Sequence, residues 1–311
     1  MKKKIKVIAV NISDKKGTIK IQVPEIELTG KGVSHDAHAG SWHRQVSLLG
    51  IESISKFSKK TKRKINYGEF AENITTEGMV LYETLPLDRF RGKNIELEVT
   101  QIGKECHGNT CAIFNEVGHC VMPKEGIFCR VITGGKLKAD DEMNYIPRIY
   151  NFHIITLSDR ASKGEYEDLS GPKIIEILNE HYSISRRQIK IDHTIIPDDA
   201  EQLTLLLEGA KNESVDFVIT TGGTGIGPKD ITPDVITSML DKEIPGIMDM
   251  IRMKYGASKP NALLSRSIAG VIGKTCVFAL PGSVKAVNEY MPEIIPFFDH
   301  LIYTINELDL H

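Results

Sequence analysis

A β-rich barrel followed by a three-layer α/β domain with a mostly parallel sheet is the architecture this sequence predicts. Three observations carry it. The chain has 311 residues, about twice a usual domain of roughly 150. Short apolar stretches punctuated by glycine fill residues 1–147, the pattern of a β-rich sheet or barrel. From 148 to 311 apolar strands alternate with helical spacing, which implies parallel strands covered by helices on both faces.

In the first domain, Lys6–Ile12 is an apolar strand and Thr18–Val23 alternates. Helical spacing spans Ser47–Lys56, and Ser58–Lys64 reads as a charged loop. Asn94–Ile102 sets Ile95, Leu97 and Val99 on one face against Glu96, Glu98 and Thr100 on the other. Gly126–Ile132 supplies Ile127, Phe128 and Val131 before the Gly134-Gly135 turn. Asp140–Arg148 is mostly polar and reads as a short connector. In the second domain, strands are expected at Phe152–Leu157, Ile189–Ile196, Val215–Thr220 and Thr275–Leu280. Helices are expected at Gly171–His181, Ala200–Ala210, Pro233–Leu240 and Ser283–Ile305, with Thr232 as an N-cap and Pro233 in the first turn. No internal repeat or low-complexity segment interrupts the pattern.

Hydrophobic residues make up 41% and charged residues 26%, which excludes a disordered chain and a small disulfide scaffold. The net charge is −2, but the halves differ: 24 basic and 18 acidic residues in 1–150 (+6), 15 and 23 in 151–311 (−8). The uniform basic character of a nucleic-acid binder is absent. A basic first half favours an anionic small molecule or a partner's acidic face; the plainer reading is two solvated surfaces. The apolar run after Lys2-Lys-Lys4 is too short for a signal peptide. No apolar stretch approaches the about 20 residues that span a bilayer, so no membrane association and a cytoplasmic location are expected. Five cysteines, Cys106, Cys111, Cys120, Cys129 and Cys276, are an odd count and point to free thiols in such a compartment.

The most informative stretch is Val218-Ile-Thr-Thr-Gly-Gly-Thr-Gly-Ile-Gly-Pro-Lys-Asp-Ile-Thr-Pro-Asp234. A strand runs into four glycines within six residues and then into a helix start. Glycines let the backbone turn tightly and bring amides close to a phosphate, and the helix start adds partial positive charge. Neither common nucleotide fingerprint is present. A purely structural turn is the alternative, but it would not need Thr220, Thr221, Thr224, Lys229, Asp230 and Asp234 gathered around it.

This loop resembles the signature of the molybdopterin-binding, molybdopterin adenylyltransferase-like family. Leu157-Ser-Asp-Arg-Ala-Ser162 with Gly164, Tyr166, Asp168, Ser170 and Gly171, then Ile196-Pro-Asp198, Leu264-Ser-Arg266 and Leu280-Pro-Gly-Ser283 match it in order. The resemblance covers about residues 150–311. It implies transfer of AMP from ATP to the terminal phosphate of molybdopterin, dominated by positioning and electrostatics. Asp198 and Asp230 would be catalytic and hold Mg²⁺, a hard cation that prefers carboxylate and phosphate oxygens. Gly222, Gly223, Thr224 and Gly225 would hold phosphates, with Thr221, Pro281 and Gly282 also in the binding loops and Ser265, Ser283 and Lys285 available to the pterin phosphate. Asp234 is a weaker third candidate for the metal, the alternative being a helix-start acid that favours the macrodipole. Asp159 and Arg160 are expected to pair and fix their loop, direct substrate contact being the alternative. The family resemblance also suggests a homo-oligomer, a trimer or higher.

In the first half, Gly103-Lys-Glu-Cys-His-Gly-Asn-Thr-Cys111 sets Cys106 beside Lys104 and His107, where a thiolate would be favoured. A buried inert thiol is the alternative. Zinc on Cys106, His107, Cys111 and Cys120 is disfavoured, because the gaps are not those of a finger. Gly32–Gly40 and Trp42–Leu49 place His35, Asp36, His38, His43 and Arg44 close together, and Gly68–Gly78 adds carboxylates and an amide.

These stretches resemble the MOSC domain over roughly residues 5–140. The resemblance implies binding of the molybdenum cofactor, or sulfur chemistry through one cysteine, here Cys106, with Cys111 and Cys120 as weaker resolving thiols. His35 stands where the pattern usually has glycine. The chain has no pyridoxal-phosphate desulfurase portion, so the sulfur donor, or a molybdenum-inserting protein, would be a separate partner. Together the two resemblances imply a molybdenum-cofactor biosynthesis protein whose second domain adenylates molybdopterin. A non-catalytic cofactor carrier and a molybdenum redox enzyme built on the first domain are the alternatives.

Overall fold

A computed structural model of the chain describes residues 3–104 and 120–308. The chain divides into two compact units, Met1–Arg148 together with Leu308–His311, and Ile149–Glu307.

The first unit holds strands β1 (Lys4–Ile12), β2 (Ile21–Val23), β3 (Glu25–Thr29), β4 (Gly32–Val33), β5 (Val46–Gly50), β6 (Ile74–Glu77), β7 (Arg89–Arg91), β8 (Glu96–Ile102), β9 (Ile127–Thr133), β10 (Gly135–Lys138) and β11 (Glu142–Ile146). Seven of them close into a barrel in the order β11-β7-β8-β9-β5-β6-β1, with β11 returning to β1. Ile5 faces Met143 across the closing pair. Strands β5 and β6 are parallel and therefore need a crossover, which helix α1 (Ile51–Thr61) supplies. Val7, Leu48, Ile74, Phe90, Leu97, Val99 and Ile127 fill the interior. Helix α1 lays Ile54 and Phe57 on Leu49, Phe70 and Phe128 outside the barrel, beside the short helix α2 (Met122–Glu125).

Two expectations are corrected here, and one strand face has a feature that its pattern did not show. The helix expected at Ser47–Lys56 is the end of β5 followed by α1, which runs on through Ser58 to Thr61. Val46, Leu48 and Leu49 are buried on both faces of a barrel strand, and such a run has no periodicity to separate it from a helix. The outer face of β8 is not in water: Glu98 is 3% exposed, held by Arg89 Nε at 2.8 Å and Arg130 Nε at 2.9 Å. The polar stretch Asp140–Arg148 is no mere connector, since β11 within it closes the barrel.

The second unit holds β12 (Ile149–Leu157), β13 (Gln188–Ile196), β14 (Phe217–Thr221), β15 (Lys242–Glu243), β16 (Ala269–Ile272) and β17 (Thr275–Leu280), in the sheet order β13-β12-β14-β17-β16-β15. The first four in that order are parallel. Strands β16 and β15 run antiparallel at one edge. The helices are α3 (Asp159–Ser162), α4 (Ser170–Ser183), α5 (Ala200–Asn212), α6 (Thr232–Met239), α7 (Pro245–Gly256), α8 (Val284–Ile294) and α9 (Phe298–Ile305). Ile155, Val218 and Val277 pack on one side of the sheet against Leu203 and Leu207 of α5 and Ile236 of α6. Phe152 stacks on Phe217 at 4.7 Å, and Phe298 of α9 covers Phe217 at 4.4 Å.

The register aligns Leu157 with Ile196, Thr156 with Thr221, and Thr221 with Leu280. The loops after β12, β13, β14 and β17 thus leave the sheet at one edge. The chain turns outward in opposite directions from β12 and β14, which opens a crevice there, the usual place for a ligand in such a sheet.

Candidate functional site

The loop after β14 is shaped by two glycines with left-handed backbone. Gly222 has φ +107°, and a Cβ there would stand 2.3 Å from the Leu157 carbonyl oxygen. Gly223 has φ +61°, and its Cβ would meet the Thr232 hydroxyl at 2.5 Å. Both positions need glycine for conformation and for space. Thr232 was expected to cap α6; instead it is the first helical residue, and its hydroxyl donates to the Gly222 carbonyl at 2.9 Å. The hydroxyl therefore fixes the loop to the helix. The Gly222 amide donates to Leu280 O at 3.0 Å, and Thr221 Oγ1 to Pro281 O at 3.2 Å. Among the described residues, the amides of Gly223, Thr224 and Gly225 have no protein acceptor.

Arg266 closes the far side of the loop. Its amide donates to Thr224 O at 2.9 Å, its Nε to Gly225 O at 2.8 Å and its Nη2 to Asp230 O. Its Nη1 reaches both Asp234 oxygens at 2.7 and 3.0 Å. Asp234 is thus engaged by Arg266, which holds its carboxyl below the usual range. Asp230 accepts the Gly227 amide at 2.7 Å.

Asp198 lies at the end of β13. Its Oδ2 accepts the Asp159 amide at 3.3 Å, and Asp159 Oδ1 accepts the Asp198 amide at the same distance. Lys229 pairs with Asp159. Burial, and the like charges of Asp159 and Asp230, push the Asp198 carboxyl above its ordinary value despite the Asp159 amide and Lys229. The expected Asp159–Arg160 pair does not form. Arg160 instead lies over the Tyr166 ring at 5.1 Å, and the Asp159 carboxylate pairs with Lys229. Among the described residues no three His, Cys, Asp or Glu side chains gather as a metal site. A cation beside Asp198 and Asp230 would therefore need phosphate oxygens to complete its shell, as Mg²⁺ commonly does.

A cavity of about 500 Å³ opens beside this cluster, lined by Thr221, Gly282 and Ser283 and by Arg160, Tyr166 and Asp168. Ser283 N-caps α8, its Oγ accepting the Ala286 amide at 3.2 Å. Ser265 and Lys285 are not among the residues lining it; Ser265 Oγ lies 2.8 Å from Ser267 Oγ. Sequence reasoning placed Tyr166 and Asp168 only in a matching stretch and missed their part in this wall. Asp168 accepts Thr156 Oγ1 at 2.7 Å and the Ser170 amide at 2.9 Å, and His193 Nε2 stands 3.2 Å away. Burial opposes ionisation of Asp168; these donors outweigh it and hold the carboxyl below its ordinary value. His193 sits on β13 with no motif around it, so no sequence signal pointed to it.

In the barrel unit Asp36 and Lys20 form an ion pair with both side chains 1% exposed. Asp36 also accepts the Ser13 and His38 amides at 3.0 Å each. Burial opposes the charge on Asp36; His38 and Lys20 outweigh it and keep the carboxylate ionised. His35 adopts φ +62°, so the left-handed turn is kept without glycine. Glu72 is fully buried, with Oε1 accepting the Gly68 amide at 2.6 Å and Thr75 Oγ1 at 3.0 Å. Burial raises its carboxyl pKa. Cys106 and Cys111 lie outside the described residues. Cys129 and Cys276 are buried, and burial pushes both thiols up, Cys276 to about 12.

Residues 153–300 match the family model described as "Probable molybdopterin binding domain", and residues 35–144 match the MOSC domain. The chain is 34% identical over 150 residues to the molybdopterin adenylyltransferase of Helicobacter pylori strain J99, spanning 48% of this chain and 84% of that protein. It is 40% identical over 147 residues to that of Pyrococcus furiosus, 46% of this chain and 83% of that protein. Against gephyrin of Dictyostelium discoideum it is 34% identical over 160 residues, which is 22% of that longer protein. Among solved structures, the tungsten cofactor synthesizing protein MoaB from Pyrococcus furiosus is 35% identical, with 52% of this chain and 99% of that chain covered at a TM-score of 0.45.

Proposed function

The chain belongs to the molybdopterin-binding family, with a MOSC domain ahead of it, and on that premise we propose that it is a molybdopterin adenylyltransferase of molybdenum-cofactor biosynthesis. A molybdopterin phosphate oxygen attacks the α-phosphorus of ATP; the new P–O bond forms as the α–β anhydride breaks and pyrophosphate leaves. The observation that carries this is the cradle of amides at Gly223, Thr224 and Gly225, left without a protein acceptor among the described residues, beside Asp198. Such amides stabilise the charge that builds on transferring phosphoryl oxygens. Thr221, Gly282 and Ser283 line the adjoining cavity, and Gly222 packs closely behind Gly282. Asp198 and Asp230 would hold Mg²⁺, which supplies charge neutralisation when bound. Burial first, and then the charges of Asp159 and Asp230, raise the Asp198 carboxyl, and a bound cation would offset that cost. Asp234 acts through Arg266 by holding the loop. Lys285 and Ser265 would reach the pterin phosphate from outside the cavity lining, and Pro281 acts through its carbonyl, which holds the Thr221 hydroxyl.

The MOSC unit binds the molybdenum cofactor or carries its sulfur on Cys106, received from a separate donor or molybdenum-inserting protein. The support is the family match over residues 35–144. Ile226, Met253, Leu263 and Leu264 are more than half exposed, apolar surface suited to a homo-oligomer in the cytoplasm. No helix among the described residues is long and apolar enough to cross a membrane.

The test is incubation of the full chain with molybdopterin, ATP and Mg²⁺, following adenylylated product. Wild type is expected to form it and Asp230→Ala to lose it. Product from neither, or from both equally, overturns the transferase reading. Tight molybdopterin binding without ATP consumption supports a carrier. Metal analysis of the purified protein and loss of activity in Cys106→Ser test the MOSC role.

A further inference from the structure

The nine residues from Lys56 to Lys64 carry six cations and no acid. The remaining residues of 1–150 hold 18 basic and 18 acidic side chains, so this run accounts for the whole +6. Helix polarity explains Lys59 and Lys60 in the last turn of α1. It does not explain Lys62, Arg63 and Lys64 beyond the helix. Lys56 pairs with Glu125 and Arg63 with Glu69. Lys59, Lys60, Lys62 and Lys64 have no carboxylate partner among the described residues.

Lys62, with φ +55°, ends α1 and turns the chain back along it. Between α1 and β2 lies a groove of about 800 Å³. Ile54 and Ile65, both buried, form its floor, and Lys59 and Lys64 stand on it with Ile19 and Ile21. Ile21 is 71% exposed and Ile19 44%. Strand β2 ends the sheet order, with β1 as its strand partner. An open, apolar edge strand is a ready template for another chain.

We propose that this groove docks an acidic, extended peptide segment of a partner protein. The segment lies along β2, sets apolar side chains over Ile21 and the groove floor, and points carboxylates at Lys59 and Lys64. Addition to a sheet edge gives affinity through the main chain, and alternate side chains give specificity. Charge complementarity selects the acidic partner and speeds encounter. A flat membrane would meet the exposed Ile19 and Ile21 but would not reach the buried Ile54 and Ile65 at the groove floor. Single-stranded nucleic acid needs a row of aromatic platforms, and this groove offers Tyr67 alone.

The probe is a fluorescein-labelled eight-residue peptide alternating Glu and Val, titrated with the full chain and followed by anisotropy. Saturable binding is expected, weaker at raised salt. Lys59→Glu with Lys64→Glu, and separately Ile21→Asp, should each weaken it by about tenfold or more. These side chains are exposed, so unchanged thermal melts confirm that the variants fold. The proposal is overturned if the peptide does not bind, or if folded variants bind it as wild type does. Equal binding of an octaglutamate peptide overturns it, since charge alone would then suffice. So does binding of phosphatidylserine vesicles or an oligonucleotide in place of the peptide.

Discussion

Arg266 grips Asp234 with one guanidinium nitrogen, at 2.7 and 3.0 Å, while its Nε holds the Gly225 carbonyl at 2.8 Å. One side chain thus ties a helix start, a glycine loop and a distant segment into a single frame. Replacement by lysine keeps the charge and loses the planar fork. Arg266→Lys should leave the melting temperature almost unchanged, because Asp234 is exposed. It should lower kcat/KM for adenylyl transfer by on the order of 10²-fold, through displacement of the loop. Wild-type kinetics in Arg266→Lys would refute a positioning role.

Glycine is required at 222 for both backbone and space. Gly222→Ala should destabilise the second unit by at least about 1–3 kcal/mol, since its Cβ would press on the Leu157 carbonyl. Gly246 in α7 has no positive φ, and a Cβ added there would meet nothing within 4 Å. Gly246→Ala should therefore be neutral or stabilising by about 0.5–1 kcal/mol. Urea denaturation of the pair checks the contrast.

Asp168 has a folded-state pKa below its unfolded one, so its carboxylate contributes stability that is present above the unfolded value of about 4. That contribution is lost as pH falls through the depressed folded value. Asp168→Asn should melt at a lower temperature than wild type at pH 7. The gap should narrow on acidification below about pH 4. A gap that stays constant across thermal melts from neutral to acid pH would show that the ionised form contributes nothing.

The Lys20–Asp36 pair is buried on both sides. Lys20→Met alone strands a carboxylate and should cost about 3–5 kcal/mol. The double variant Lys20→Met/Asp36→Leu removes both charges and should recover a large part of that loss. A double variant no more stable than the single one would mean that packing, not charge, dominates this corner of the barrel.

The glycine loop was legible in sequence because its conformation demands one residue type at Gly222 and Gly223, and Asp230 closes the loop on the Gly227 amide. The parallel strands were legible because each apolar run is bounded by turns. Strand β5 was not: Val46–Leu49 is apolar on both faces, and such runs look alike in helix and strand. The arginines over Glu96 and Glu98 were hidden because a cross-strand partner leaves no local trace. Thr232 was visible as a polar residue at a helix start, but the direction of its hydroxyl depends on a carbonyl ten residues earlier. The wall built by Arg160, Tyr166 and Asp168 depends on the path of the loop after β12, which spacing does not specify.

The loop's braces lie far downstream of the loop itself. Thr221 is tied to a carbonyl 60 residues later, and Arg266 reaches back 41 residues to Gly225. A chain emerging from the ribosome therefore displays the glycine loop long before anything holds it in shape. The loop takes its final shape late, once the segment through Pro281 has been made and folded back. A product truncated before Arg266 therefore carries the glycine loop without the contacts that brace it.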